Sequence, residues 1–427
     1  MNISTLYEFY KSCTGVSTDT RQIAEGCLFV ALKGDKFDAN NFAKEALEKG
    51  AKFVVVDNPA VREDERFLLV EDSLLALQQL AAHHRAQLQI PVVGLTGSNG
   101  KTTTKELITS VLSQKFRTYA TKGNLNNHIG VPLTVLAIDQ THEMAVVELG
   151  ANHQQEIELL SHICQPTHGL ITNIGKAHLE GFGGLAGVRK GKGELYDFLA
   201  QTGGTVFVNF QNSTLLEMAN ERAFKEKIYY LEDKSAPVLV QDAPFVVYQS
   251  ANNEQVVSHL TGKYNFENIA AALAIGAYFG VETAAANAAI ANYNPTNNRS
   301  QTVQKGNNTL IMDAYNANPS SMAAAIENFA RLQAARKMLI LGDMFELGDD
   351  APAEHLALGE LIAKSNFDVV ILAGKLMQHA LPALPNAYYF PDKFSLHNWL
   401  VDHPQQHTHV LIKGSRGMGL ETVVPYL

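Results

Sequence analysis

VVGLTGSNGKTTTKE, residues 92–106, reads as a buried strand that breaks into a glycine-rich turn and then opens a helix. The apolar run 90–95, with Pro91 inside it, supplies the strand. Gly97-Ser98-Asn99-Gly100 makes the turn, and Lys101-Thr102-Thr103 begins the helical pattern. Strand, loop and helix in this order form a nucleotide phosphate loop. Its glycines let backbone N–H groups converge on one anion, and the helix N-terminus adds partial positive charge. Thr96, Gly97, Ser98, Asn99, Gly100, Lys101, Thr102 and Thr103 are therefore the first candidate ATP-binding residues. Lys101 has the length to reach the β/γ-phosphates, and the Thr102 hydroxyl is placed to ligate Mg2+. One position departs from G-x-x-x-x-G-K-[ST]: Leu95 stands where the first glycine belongs. The alternative is a glycine-rich turn ahead of an ordinary helix. The intact order of strand, loop, lysine and threonine favours nucleotide binding.

Outward from this loop, the 427 residues exceed what one core organises, so two to four domains are expected. Apolar residues are 46% and charged residues 18%, a globular composition. A net charge of −9 argues against general attraction to nucleic acid or to an anionic membrane surface. Cys13, Cys27 and Cys164 are far apart and form no C-x-x-C pair, which points to a reducing compartment without a disulfide or zinc framework. MNISTLYEFY lacks the pattern of a signal peptide, and no apolar run is long enough to span a bilayer. A cytoplasmic protein, monomeric and without membrane or nucleic-acid partners, is the expectation.

Short strand and helix patterns alternate at 27–32, 41–49, 53–57, 67–70 and 73–88, ahead of the phosphate-loop strand. The alternation resumes with strands at 145–149, 169–174 and 205–210 and a long Ala-rich helix from Asn265. The run 283–291 resembles low complexity, but alanine is the best helix former and a packed helix is the better reading. The polar, proline-broken stretch 292–299 is a linker candidate. Strands at 309–313, 337–341, 369–373 and 410–413 follow, with helices from Ser320 and near His355. This alternation predicts an α/β protein of parallel sheets with helices on both faces. The boundaries read as 1–88, 89–296 and 297–427.

Ligands bind such sheets at the C-terminal ends of their strands, and polar residues collect there. Glu148 ends one strand, Asn173 another, and His178 and Glu180 follow in KAHLEGFG. Lys190 and Lys192 lie in VRKGKGEL, opening a predicted helix. Acid, imidazole and phosphate loop together suit divalent-metal phosphoryl transfer. Glu148 reads equally as a solvated strand-end carboxylate, and its position tips the choice toward a ligand. A lone histidine is more often structural; the Asn, Gly and Glu around His178 favour function. His83, His84, His153, His162 and His168 have no metal-motif support. Further on, residues 312–322 end a strand in Asp, Tyr and Asn, after which Ser320 caps a helix. Polar loops also follow the strands ending at Leu341 and Lys413, and Arg416 has the geometry to clamp a carboxylate or phosphate. Three such loops on one sheet suggest a second ligand face.

These segments, taken in order, resemble the Mur ligase family. STDTR (17–21) and GCLFVALKG (26–34) resemble its uridine-nucleotide domain. TGSNGKTTTKE, GNLNNHIGVPLT (123–134), ELGAN, TNIGKAHLEGFG, GKGEL, GKYNFENIAAALA, DAYNANPSSM (313–322), LGDMFELG and KGSRGMGLE follow in the family's order. GNLNNHIGVP and DAYNANPSSM are the most specific, and they resemble the branch that adds D-alanyl-D-alanine to UDP-N-acetylmuramoyl-tripeptide. Sister ligases that add the third residue, and folylpolyglutamate synthetases, share the architecture but are disfavoured by DAYNANPSSM. A non-catalytic phosphate-loop scaffold is the alternative from another class. The sequence departs from the family at Asp38-Ala39-Asn40-Asn41, where an Asp-Gly-His run is usual.

The resemblance implies three domains: a small α/β domain for the UDP part of the substrate, a central ATP-binding domain, and a Rossmann-like domain for the incoming dipeptide. It implies ATP as co-substrate, two Mg2+ sites and an acyl-phosphate intermediate. Lys101, Glu148, His178 and Lys192 are its catalytic set, and Thr102, Glu148, His178 and Lys192 its metal set. Lys192 matches a lysine that CO2 carbamylates, with Lys190 the rival by proximity. Asn265 and Asn268 would contact adenine, with Arg299 at the domain junction and Asp313 completing the ATP site. Ser17, Asp19, Thr20, Arg21, Lys33, Asn126, Asn127 and His128 would serve the UDP-linked substrate. Tyr315, Asn316, Asn318, Ser321 and Arg416 would lie near the dipeptide.

Overall fold

The computed structural model describes residues 1–232, 237–296 and 298–427. Of the expected linker, Asn297 lies outside the described residues. Three sheets organise the chain. The first is parallel, in the order Val16–Ser17, Leu28–Val30, Phe53–Val56, Phe67–Leu69. The central one is parallel throughout its six strands, in the order Glu226–Tyr230, Thr205–Asn209, His168–Ile171, Val92–Thr96, Met144–Glu148, Thr118–Ala120. The third has the order Gln301–Lys305, Asn308–Asp313, His409–Lys413, Lys337–Gly342, Val369–Ala373, Tyr388–Phe390, parallel except for its first strand.

The central sheet shows why its strands read as continuous apolar runs. Successive side chains point to opposite faces, and both faces are covered. Val92, Ala145 and Val147 pack on one side with Leu160, Ile163, Leu195 and Leu199 of the helices Glu156–Cys164 and Leu185–Thr202. Val93, Leu95, Met144 and Val146 pack on the other with Leu107, Ile108, Val111 and Ile269 of Lys101–Leu112 and Lys263–Tyr278. The Ala-rich run forms the helix Thr283–Asn292, which buries Ala286, Ala289 and Ile290 in this second cluster.

The N-terminal sheet is tied to the central one by polar contacts as well as by a shared core. The helix Ser73–Gln87, capped by Asp72 through Leu75 N, buries Leu77, Leu80 and Ala81. At its C-terminal end Arg85 donates to the carbonyls of Cys164, Leu88 and Gln165, and His84 meets Ile138 O at 2.7 Å. Burial pushes the Cys164 thiol up to about 12, so it packs as a small apolar side chain. No helix among the described residues is long and apolar enough to cross a membrane.

Several local expectations change. Among the described residues antiparallel pairing enters three times, through the edge strand Gln301–Lys305, a small sheet of Val238–Gln241, Val247–Gln249 and Gln255–Val257, and the short pair Lys33–Gly34 and Phe37–Asp38. Lys190 and Lys192 do not open a helix: it begins at Leu185, straight after Gly183 and Gly184, both at positive φ. Gly191 inside that helix serves packing, since a Cβ there would meet the Phe182 ring at 2.4 Å. Ser320 is not a helix cap. Asn318 caps Pro319–Arg331 in a reciprocal box with Ser321, because Pro319 occupies the first helical position and moves the cap back two residues from Ser320.

Candidate active site

The phosphate loop lies between strand Val92–Thr96 and helix Lys101–Leu112. Leu95 is fully buried inside the strand, in register with Leu170 and Glu148, so the turn starts at Gly97 and no earlier glycine is required. Gly97 and Gly100 sit at φ 148° and 78°. A Cβ on Gly97 would lie 2.0 Å from Thr172 Oγ1, and one on Gly100 2.8 Å from Asn268 Oδ1. Both glycines thus allow close approach as well as the turn. The first turn of the helix leaves N–H groups without intrahelical acceptors, a ready anion site. Lys101 Nζ donates to Gly97 O at 2.7 Å, held over the loop. Burial lowers its pKa, opposed by Glu148 and reinforced by Arg299. Thr96 points elsewhere: fully buried, it donates to Leu149 O at 2.8 Å and staples two strands.

Around the loop opens a cavity of about 760 Å3. Its central wall carries Ser98, Glu148, Asn173 and His178, at strand C-termini or in the loops that follow, and Thr102 in the first turn of the helix Lys101–Leu112. Glu148 is buried, and its Oε1 accepts from Thr102 Oγ1 (3.2 Å) and Asn126 Nδ2 (2.8 Å). Its Oε2 is buried without a partner. An orphaned carboxylate oxygen beside a threonine hydroxyl fits a hard cation. Mg2+ prefers oxygen donors and is usually held by one or two protein groups plus substrate phosphates. The arrangement of His178 is different. Its Nδ1 meets the Glu346 carboxylate from the C-terminal sheet, leaving only Nε2 for an ion. The His178 contact also holds the Glu346 carboxyl below its ordinary range. Both residues have positive φ, a strain that surrounding structure must hold.

Lys192 lies behind this wall rather than on it. It is 1% exposed, donates to Ala151 O at 3.0 Å, and its Nζ stands 4.8 Å from the Phe182 ring centroid. Burial first, and then Lys101, lower its pKa well below the ordinary lysine value. On the far wall Asn265 and Asn268 join through a 3.1 Å bond, and Asn268 rests against Gly100. Asn126, Asn127 and His128 line the cavity. Asn127 Oδ1 accepts from the backbone of Gly130 and Ile129, which makes it a turn cap.

The C-terminal sheet closes the cavity. Asp313 and Lys413 end adjacent strands in register and form a 2.5 Å ion pair. Tyr315 is stacked by Arg299 (3.9 Å) and approached by Arg416 (5.7 Å). Asn316, Ser321 and Tyr264 complete this side. Lys413, Tyr264 and Glu346 were not singled out by sequence reasoning. The register that places Lys413 beside Asp313 spans a hundred residues and leaves no local signal. Asn318 is buried and directed at the phosphate loop rather than at the open cavity. Ser17 is on the N-terminal sheet, with Asp19, Thr20, Arg21 and Lys33 on the turns and short strands around it, all outside this cavity's lining. There Arg21 forks onto Asp19, holding its carboxyl down at about 2, and Lys33 pairs with Asp57 at 2.8 Å. Asn40, within the run that departs from the family, bonds Asp38 and Asp57 and is a buried staple.

Comparison with known proteins decides what this assembly is. Family models described as "Mur ligase family, catalytic domain", "Mur ligase middle domain" and "Mur ligase, glutamate ligase domain" match residues 12–85, 95–276 and 298–416. The chain belongs to the Mur ligase family. A UDP-N-acetylmuramoyl-tripeptide–D-alanyl-D-alanine ligase of Escherichia coli is 38% identical, over 96% of this chain and 92% of that protein. A crystal structure of MurF from Acinetobacter baumannii superposes with a TM-score of 0.86 at 32% identity, covering 99% and 98% of the two chains. A MurF ligase from Thermotoga maritima in complex with ADP gives 0.82 at 25% identity, with 96% of each chain covered. Like the rest of the Mur ligases, this chain is an ATP-dependent ligase with the α/β, three-sheet architecture of the family.

Proposed function

We propose that this Mur ligase joins D-alanyl-D-alanine to the terminal carboxylate of UDP-N-acetylmuramoyl-tripeptide, converting ATP to ADP and phosphate. The observation that carries the reading is the convergence of GNLNNHIGVPLT and DAYNANPSSM on one phosphate loop. Asn126 from the first bonds Glu148, and Tyr315, Asn316 and Ser321 from the second line the same cavity.

A carboxylate is a poor acylating agent, so the reaction runs in two displacements. A carboxylate oxygen attacks the γ-phosphorus, the bond to the β,γ-bridging oxygen breaks, and ADP leaves. The amine of the dipeptide then attacks the acyl carbon, loses a proton, and the C–O bond to phosphate breaks. The phosphate-loop N–H groups and Lys101 stabilise charge on the transferred phosphoryl group. Thr102 and Glu148 would hold Mg2+, with Nε2 of His178 as a further donor, and the ion would supply neutralisation of phosphate charge. Asn265 and Asn268 position the adenine, and Arg299 and Asp313 the rest of the nucleotide. Tyr315 and Arg416, together with Asn316 and Ser321, face the dipeptide. Ser17, Asp19, Thr20, Arg21 and Lys33 hold the UDP end, away from the chemistry.

Lys192 is the site of carbamylation. A buried amine with a lowered pKa gives up its proton more readily; the free amine's nitrogen bonds the carbon of CO2 and a proton leaves. The product is an anion that would serve a second Mg2+. The enzyme works as a cytoplasmic monomer.

Phosphate release from MgATP tests the reading, with UDP-N-acetylmuramoyl-tripeptide fixed and the acceptor varied. Release that requires D-alanyl-D-alanine is expected. Release with a single amino acid but not the dipeptide moves the chain to a sister ligase.

A further inference from the structure

Asn318 uses both ends of one amide. Its Oδ1 accepts from Ser321 N at 2.9 Å and caps the helix Pro319–Arg331. Its Nδ2 donates to Asn99 Oδ1, in the phosphate loop, at 2.8 Å. Asn318 is 4% exposed, so its end of this bond is buried. Asn99 is gripped from the other side by the central sheet. Its N–H donates to Asn173 Oδ1 (3.0 Å), and its carbonyl accepts from Thr172 Oγ1 (2.6 Å) and Asn173 Nδ2 (3.0 Å). Two residues on, Ser320 Oγ accepts from Lys176 N at 3.0 Å. The start of one C-terminal helix therefore docks on two segments that shape the nucleotide site.

We propose that Asn318 is a positioning residue: its bond to Asn99 makes docking of the C-terminal sheet and the working shape of the phosphate loop one event. The proposal rests on the ligase reading above. Two substrates held on different sheets must be brought together before the amine can attack. A contact that exists only when the sheets are docked, and that ends on the phosphate loop, couples the two sites. By linkage such coupling is reciprocal for binding. Asn318 acts through Asn99 and touches no reacting atom. An N-cap by itself needs only the oxygen; the amide nitrogen has a separate partner on another sheet.

The separation of those two roles supplies the test. Serine caps a helix as well as asparagine but is too short to reach Asn99. In Asn318→Ser we expect kcat to fall about tenfold while KM for ATP stays within about threefold, because a part-buried hydrogen bond is lost and its acceptor is stranded. Asn99→Ala breaks the same bond from the loop side. The double variant should be no slower than the slower single variant, since one interaction cannot be removed twice. Undiminished kcat in Asn318→Ser overturns the proposal, and so do losses that multiply in the double variant. If Asn318→Ser loses its fold, Asn99→Ala decides alone, and wild-type kcat there is the overturning result. Acceptor-dependent phosphate release by the wild-type protein is measured alongside. Its absence counts against the ligase reading, whereas the variants are compared only with a wild type that turns over.

Discussion

Replacing Lys192 with methionine separates a lysine kept for chemistry from one kept for stability. The side chain is 1% exposed, and its Nζ has one hydrogen bond, 3.0 Å to Ala151 O. Methionine keeps the length and the packing over Phe182 and removes the amine. Two effects on stability oppose each other. The Ala151 carbonyl loses its donor, at a cost of about 1–3 kcal/mol. Against this, a buried amine with a single hydrogen bond no longer has to be desolvated, a gain of about 1–3 kcal/mol. The net change in stability should be within about 2 kcal/mol of zero. Activity should respond differently. If the Lys192 carbamate orients charge at the phosphates, losing it should cost about 10²–10³ in kcat, the loss typical for one preorganised electrostatic group. Calorimetry and phosphate release on the same preparation measure both quantities. Wild-type activity should also rise when bicarbonate is restored to CO2-depleted enzyme, and that of Lys192→Met should not. A folded Lys192→Met enzyme with wild-type turnover would refute the argument, since burial alone would then account for the shifted amine.

Glu148→Gln keeps an acceptor for Thr102 and Asn126 but removes the charge that the orphaned Oε2 offers to Mg2+. Mg2+-dependent phosphate release should drop by at least about 10²-fold, with unchanged or higher thermal stability in calorimetry. A variant that keeps half its activity would remove Glu148 from the metal site. Asn40→Ala removes the amide donor shared by Asp38 and Asp57 and the acceptor of the Asp57 amide, all bonded to one side chain that is 1% exposed. It should destabilise the N-terminal sheet by about 2–3 kcal/mol in urea unfolding, and a midpoint unchanged from wild type would contradict the staple role. His168 lies far from the phosphate loop, at the N-terminal end of its strand, where burial lowers its pKa to about 4. Between about pH 6.5 and 4 the unfolded chain binds the extra proton, so its stabilising contribution is full above this range and lost as pH falls through it, by at most about 3 kcal/mol. His168→Phe should flatten that acid limb in denaturation curves; an identical limb would place the proton uptake elsewhere.

The parts of this site that sequence reveals are those whose evidence is local. A parallel strand is an apolar run, and its C-terminal end faces ligand whatever else the chain does. Glu148, Asn173, His178 and the loop Gly97–Gly100 therefore stand out before any contact is known. The alternation that exposes these strands fails where a strand is polar or exposed. Gln301–Lys305 is mostly polar, and Val238–Gln241 is apolar but largely exposed; their antiparallel pairing has no counterpart in a strand–helix pattern. Local rules also misplace residues whose neighbour is fixed by a stronger constraint. Serine at 320 is a good cap, yet proline at 319 already occupies the first turn. GKG at 191–193 looks like a helix boundary because glycine is a poor helix former, yet Gly191 is there to admit Phe182.

The remaining roles are set by partners on another sheet, and no rule about spacing supplies them. Asp313 and Lys413 are a pair only because their strands are adjacent, and His178 meets Glu346 only because the C-terminal sheet is docked. Asn316 and Asn318 show the consequence most sharply. They are the same residue type, two positions apart in one motif, and sequence alone assigns both to the dipeptide. Asn316 lines the cavity, while Asn318 is committed to a cap and to the phosphate loop. The motif is therefore divided between the acceptor and the nucleotide. A substitution at 316 should act through KM for the dipeptide, and one at 318 through kcat. Steady-state kinetics of Asn316→Ala beside Asn318→Ser reads that division directly, and matching KM effects from the two would show that both asparagines face the same ligand.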